Sequence, residues 1–173
     1  STLLPSTISA ALYATLCTAL SSALSIMSFL RDAESGLLRH GYDSTGKQSC
    51  CAWGRANGWA LMALVDLLSA AKNLPGLESL VLKARGALVG HARKMATLQG
   101  RDGRWHQVID ANSTYPETSV TAMAIFALIR GIELEVLARG EFDRVITRAW
   151  EGVSAAVSAD GTGGFDNKKY ALA

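Results

Sequence analysis

Trp53-Gly54-Arg55-Ala56-Asn57-Gly58-Trp59-Ala60-Leu61-Met62-Ala63 is the stretch on which the reading of this chain turns. A polar, tryptophan-bearing loop passes there into a segment in which nearly every position is apolar: Trp59, Leu61, Met62, Leu64, Val65, Leu67 and Leu68, closing at Asn73 and Pro75. The spacing predicts a helix over about 57–72 with no polar face, and so a helix buried all round. Downstream, about 77–98 carries a single stripe of Leu80, Ala84, Leu88, Ala92 and Met95, with Lys83, Arg85, Arg93 and Lys94 off it. That pattern predicts a second helix with one side in water. The chain then repeats itself. A loop from Gly100 to Pro116 holds Trp105, an all-apolar helix is expected from Glu117 to Ile132, and an amphipathic one from Glu141 to Val157 with Phe142, Val145, Ile146, Trp150, Val153 and Val157 at helical spacing. Setting Ala60-Leu61-Met62-Ala63 against Ala122-Met123-Ala124-Ile125 gives an offset of 62 residues.

An offset of that size is a helical-hairpin repeat, in which the wholly apolar helices form an inner ring and the amphipathic ones an outer layer. An irregular helical bundle is the alternative. Upstream, Leu12, Leu16, Leu20, Leu24 and Met27 form an i, i+4 stripe, predicting a helix from Thr7 to about Leu30 with a break expected near Ser21-Ser22. Only Arg31 is charged in the first thirty-one residues, but Ser and Thr interrupt the stretch every few positions and no basic start precedes it. It reads as a buried helix, not as a membrane span or signal peptide. Gly36, Gly41 and Gly46 punctuate the loop that follows, to Cys51. Alternating strand patterns are missing, so the expected fold is all-α, in a single domain over 1–173.

Composition narrows the function. At 49% hydrophobic the chain carries too much apolar surface to stay disordered. Its 17 basic and 15 acidic residues leave +2, and no Lys/Arg run exceeds two, so a nucleic-acid partner is not expected. Three cysteines, two of them the adjacent Cys50 and Cys51, do not make a disulfide framework, and without a Cys-x-x-Cys pair no structural metal is expected. Reduced thiols favour the cytoplasm over secretion, and Asn112-Ser113-Thr114 would be a glycosylation sequon only in a secreted chain. Gly161-Thr162-Gly163-Gly164 lacks the Lys-Ser/Thr and the preceding strand of a phosphate loop, and no cofactor is expected.

Both polar loops precede inner helices, so they emerge at the same end of the ring. Trp53, Trp59 and Trp105 gather there with His40 and His106, a set suited to stacking on sugar rings while bonding hydroxyls. The inner-helix N-termini favour an anionic group, and Arg55 offers a bidentate partner for a carboxylate. The plainer alternative makes Trp59 core, Trp53 a loop anchor and Arg55 half of a helix-end ion pair. His106 with Asp110, or His40 with Asp43, could be base and orienter or simply solvated loop residues. His91 reads as a boundary residue of the amphipathic helix.

These residues resemble the unsaturated rhamnogalacturonyl hydrolases of glycoside hydrolase family 105. The likeness lies in Gly36-Leu37, His40-Gly41-Tyr42-Asp43, the Trp-x-Arg-x-Asn-Gly-Trp stretch Trp53–Trp59, Asp102-Gly103-Arg104-Trp105-His106-Gln107-Val108-Ile109-Asp110, and Glu117-Thr118-Ser119-Val120-Thr121-Ala122-Met123, in the family's order, over about Asp32 to Gly161. The resemblance implies an (α/α)6 toroid of six hairpins, present here as a partial ring. It implies removal of a terminal 4,5-unsaturated galacturonic acid from rhamnogalacturonan or pectin oligosaccharides. In that reaction a carboxylic acid protonates the C4=C5 enol ether, water adds at C5, and the hemiketal collapses. By motif position, His40, Arg55 and Trp59 would touch the substrate, Trp53 would support the aromatic wall, and Trp105, Gln107, Asp110 and Glu117 would shape the rim. The family's general acid lies upstream of the His-Gly-Tyr-Asp segment, whereas Ser1 to Arg31, which does not match the family, contains neither Asp nor Glu. No catalytic acid is therefore assigned. A non-catalytic carbohydrate-binding or scaffold protein built from the same toroid is the competing expectation. Six units of this period need about 370 residues, so the chain supplies about half a ring, whose uncovered hairpin faces predict self-association.

Overall fold

The structure, a computed structural model, describes residues 10–157. Within them the chain forms α1 (Ala10–Leu30), α2 (Gly54–Ala71), α3 (Glu78–Ala96), β1 (Trp105–His106), β2 (Pro116–Glu117), α4 (Thr118–Glu133) and α5 (Arg139–Ala155). Expectations for 7–9 and for Gly161–Gly164 fall outside the described residues. The order is the expected one: α2/α3 and α4/α5 are hairpins, and α2 and α4 pack side by side as the inner pair. α1 lies against both α2 and α3. The result is an arc of an (α/α)6 toroid.

Glycine permits the inner pair to close. A Cβ on Gly58 would sit 2.9 Å from Met123 Sδ and 3.1 Å from Met123 Cβ, so α2 and α4 touch where that residue has no side chain. Around this crossing Leu61, Leu64, Val65 and Leu68 of α2 and Val120, Ala124, Ala127 and Leu128 of α4 are buried in one core. The outer helices are tied by Arg93 of α3, whose guanidinium donates to Glu141 of α5 at 2.7 and 3.0 Å. The predicted stripe of α3 is buried from Ala84 to Met95, with Leu80 half-buried.

Four expectations are corrected. α1 runs unbroken through Ser21-Ser22. It is also not buried: only Leu20 and Met27 are covered, while Leu12, Ile26 and Phe29 are exposed. Its length and apolar composition would suffice to cross a membrane. Neither inner helix is buried all round, because Trp59 and Ala63 on α2 and Ala122, Phe126 and Ile129 on α4 form exposed stripes. In a closed ring such stripes face the axis and the remaining inner helices; an arc leaves them open. Trp150, expected on the apolar face of α5, is 63% exposed, since Phe142, Ala149 and Gly152 already make the contact with the core.

The strand-free reading misses one antiparallel pairing, Trp105 with Glu117 and His106 with Pro116. Two-residue strands are too short for any alternation to show.

Candidate functional site

The two polar loops meet, as their places in the repeat require. Trp53 bridges Val108, Ile109 N–H donates to Ala52 O at 2.9 Å, and Gly54 N–H donates to Gln107 O at 2.7 Å. A Cβ on Gly54 would lie 2.6 Å from His106 O, so the second loop can reach the start of α2 only because this position is glycine. The same contact takes up the first N–H of α2, leaving less of that helix terminus for an anion than the sequence suggested.

The side chains above this seam form a connected series. Arg55 lies over the Trp53 ring, 4.3 Å from its centroid, and the His40 ring meets Trp53 edge-on at 6.0 Å. Arg55 Nη1 donates to Glu117 Oε1, and Ser119 Oγ donates to the same oxygen at 2.6 Å. Arg55 and Glu117 are 62 residues apart, the period of the repeat, so the ion pair joins equivalent helix starts of two successive hairpins. Glu117 is the N-cap residue of α4, yet its carboxylate makes no cap bond, because it turns across to Arg55. Its side chain is 5% exposed and that of Arg55 34%, so the cation faces the solvent and the anion lies behind it. Glu117 Oε2 is buried without a partner. Trp59, one turn along α2 from Arg55 and so on the same side, is 57% exposed.

Of the expected site residues, the structure therefore brings together His40, Trp53, Arg55 and Glu117, with Trp59 beside them. Trp105 is not at the rim. It is fully buried, its indole N–H donating to Met95 O at 2.8 Å and its backbone N–H to Thr121 Oγ1 at 3.1 Å. Gln107 is half-buried and enters the seam through its backbone, while Asp110 is exposed in the turn beyond. Neither base–orienter pairing forms. Asp43 closes its own turn, accepting from Thr45 N–H, Thr45 Oγ and Lys47 N–H, and these bonds hold its carboxyl below the usual range. His106 Nδ1 bonds to Thr114 O. Asp32 likewise braces its turn: bonds from Ser35, then Arg39, bring its carboxyl down to about 2.

One residue at the site carries no assignment from the sequence, and one is corrected. Ser119 was legible only as part of Glu117-Thr118-Ser119. His91, read as a boundary residue, is fully buried, and burial followed by the Arg31 charge lowers its pKa to about 4.

Comparison with known proteins gives the family and the fold. The Glycosyl Hydrolase Family 88 profile matches residues 13–171. The chain belongs to glycosyl hydrolase family 88. It is 34% identical to the 24.9 kDa protein in the picA locus of Rhizobium radiobacter, over 70% of this chain and 55% of that one. To the unsaturated rhamnogalacturonyl hydrolase YesR of Bacillus subtilis it is 28% identical, over 76% of this chain and 36% of that enzyme. The solved family 105 glycoside hydrolase of C. acetobutylicum superposes with TM-score 0.72 at 25% identity, covering 82% of this chain and 43% of that one. A family 88 hydrolase from Bacteroides vulgatus shares the fold, with TM-score 0.68 at 22% identity over 90% of this chain and 51% of that one. The chain thus spans about half the length, or less, of the relatives it matches.

Proposed function

We propose that this chain carries the saccharide-binding half of an unsaturated uronyl hydrolase site, acting on the 4,5-unsaturated galacturonic acid that ends a lyase-cut rhamnogalacturonan or pectin chain. The observation that carries the reading is Arg55, laid over Trp53 and anchored from behind by Glu117. Glu117 uses one guanidinium edge, so the solvent-facing side can still pair with a uronate carboxylate. Trp59, exposed on the same face, offers a stacking surface for the sugar ring. His40, at the open edge of Trp53, supplies a polar contact. The name of YesR supports the substrate class.

Protonation of the enol ether needs a carboxylic acid that no residue before Asp32 can provide. The chain by itself is therefore expected to bind without turning over, which keeps the non-catalytic binding protein as the second reading. The free thiols of Cys17, Cys50 and Cys51 favour a cytoplasmic setting. Calorimetry with a lyase-generated unsaturated digalacturonate tests the reading: the wild-type chain binds, Arg55→Ala loses at least about tenfold in affinity, and the enol-ether ultraviolet band persists in both. Binding that ignores Arg55, in a variant whose far-ultraviolet dichroism matches wild type, would remove the pocket from consideration.

A further inference from the structure

Behind the exposed series lies a buried amide that the proposed function does not use. Asn57, in the first turns of α2, is fully buried. Its Nδ2 donates to Leu38 O and to Trp53 O, both at 2.9 Å, and its Oδ1 accepts the Leu38 N–H at 3.0 Å. Two donors and one acceptor are thus all engaged, and the carbonyl-facing end is fixed as the nitrogen by two acceptors opposite it. Toward Leu38 the side chain acts as a neighbouring strand would, satisfying both N–H and C=O of one residue. Leu38 stands two residues before His40, and Trp53 two before Arg55. His91 Nε2 contacts the Asn57 backbone carbonyl oxygen at 3.3 Å.

We infer that Asn57 is the positioning residue of the site: it joins the loop carrying His40 to the turn carrying Trp53 and Arg55, and so sets where His40 stands against the Trp53 ring. The inference rests on the reading of His40, Trp53 and Arg55 as saccharide contacts. The physical argument is that 15 residues of chain, 39–53, separate Leu38 from the start of α2 by way of a glycine-punctuated loop. Besides Asn57, the described hydrogen bonds fixing that loop run within it, to the end of α1 or, at its far end, from Ile109 N–H to Ala52 O, as in Gln48 Nε2 to Phe29 O at 2.8 Å and Ser49 N to Gly41 O at 2.8 Å. Asn57 makes the buried polar link between the loop and the helix that presents Arg55. A buried amide with every valence used is sensitive to loss of a single donor.

Asn57→Asp is nearly isosteric but replaces the donating nitrogen by an oxygen facing two carbonyl oxygens, so it breaks the link without changing the packing. The experiment is proton–nitrogen NMR on the full chain. In the wild type the Leu38 amide exchanges at least about 100-fold more slowly than an open loop amide, and the His40 ring protons are displaced by the Trp53 ring current. In Asn57→Asp the His40 protons move to the position of a free histidine and Leu38 exchange accelerates at least about tenfold, while Leu61, Leu64 and Leu68 in α2 keep their protection. A purely structural role would instead lower protection along the whole of α2. Unchanged His40 protons in a folded Asn57→Asp chain would overturn the inference. So would rapid Leu38 exchange in the wild type, a measurement that stands even when the variant does not fold. Titration with the unsaturated digalacturonate separates the two readings: a wild type that does not bind it, yet shows the His40 and Leu38 responses, leaves the positioning role in place and removes the substrate.

Discussion

His91 makes the stability of this arc depend on pH through a single buried ring. Its imidazole is fully covered on α3, with Nε2 on the Asn57 carbonyl, Nδ1 without a partner and the Arg31 charge nearby. Burial and that charge bring its pKa from 6.5 to about 4 in the folded chain. Because the folded state holds the proton less tightly than the unfolded one, protonation favours unfolding. The contribution is complete above pH 6.5 and is lost as the pH falls toward 4. Between pH 7 and pH 5 the loss amounts to about 2 kcal/mol, and by pH 4 to about 3 kcal/mol. The assay is urea denaturation followed by far-ultraviolet dichroism at pH 7 and pH 5 at fixed salt, comparing wild type with His91→Leu. Leucine gives up one long hydrogen bond, about 1 kcal/mol, together with the orphaned ring nitrogen, so the variant folds at pH 7. It should lose most of the wild-type difference between the two pH values, and His40 and His106, present in both chains, cancel in the comparison. Equal pH slopes in the two chains would refute the argument, and with it the view that His91 is neutral and buried.

Trp105→Ala should cost about 3–5 kcal/mol in urea denaturation, because it empties the largest fully buried side chain and strands Met95 O, whereas Trp59→Ala should cost under about 1 kcal/mol. Equal costs would mean that the two tryptophans have been assigned to the wrong environments. The uncovered faces of α1, α2 and α4, with Phe29 64% and Trp59 57% exposed, should make the purified chain elute as a dimer or larger species in size-exclusion chromatography with light scattering. A stable monomer of 18.3 kDa at micromolar concentration would show that the arc tolerates its open faces in water.

The helices were legible in the sequence because periodicity is local: the stripe Ala84, Leu88, Ala92 and Met95 fixes the buried side of α3 whatever packs there. Which apolar faces are covered is not local. Leu12 and Leu20 belong to one i, i+4 stripe, and only the position of α2 and α3 decides that Leu20 is buried while Leu12 is open. Trp105 shows the same limit from the other side. A tryptophan with a polar tip suits a sugar-binding rim and a core equally well, and what commits it to the core is Met95 O, a carbonyl in the last turn of α3.

The repeat period reached further into the site than any single motif did. An offset of 62 residues places Arg55 and Glu117 at equivalent helix starts, and parallel neighbouring hairpins bring equivalent positions side by side. Once one start carries a cation and the next an anion, the pair is dictated by the architecture. Which partner faces the ligand is then settled by burial, and the 5% exposure of Glu117 against the 34% of Arg55 makes the guanidinium the group that an incoming anion meets. What the period could not supply was the precision of that surface. Asn57 reads as one more polar residue between two tryptophans until Leu38 and Trp53 are seen to share it, and the distance between His40 and Arg55 across the Trp53 ring then follows from an amide that never touches solvent. A site assembled from two loops needs such a fixed internal reference, because loops set their own geometry to no better than the bonds that tether them.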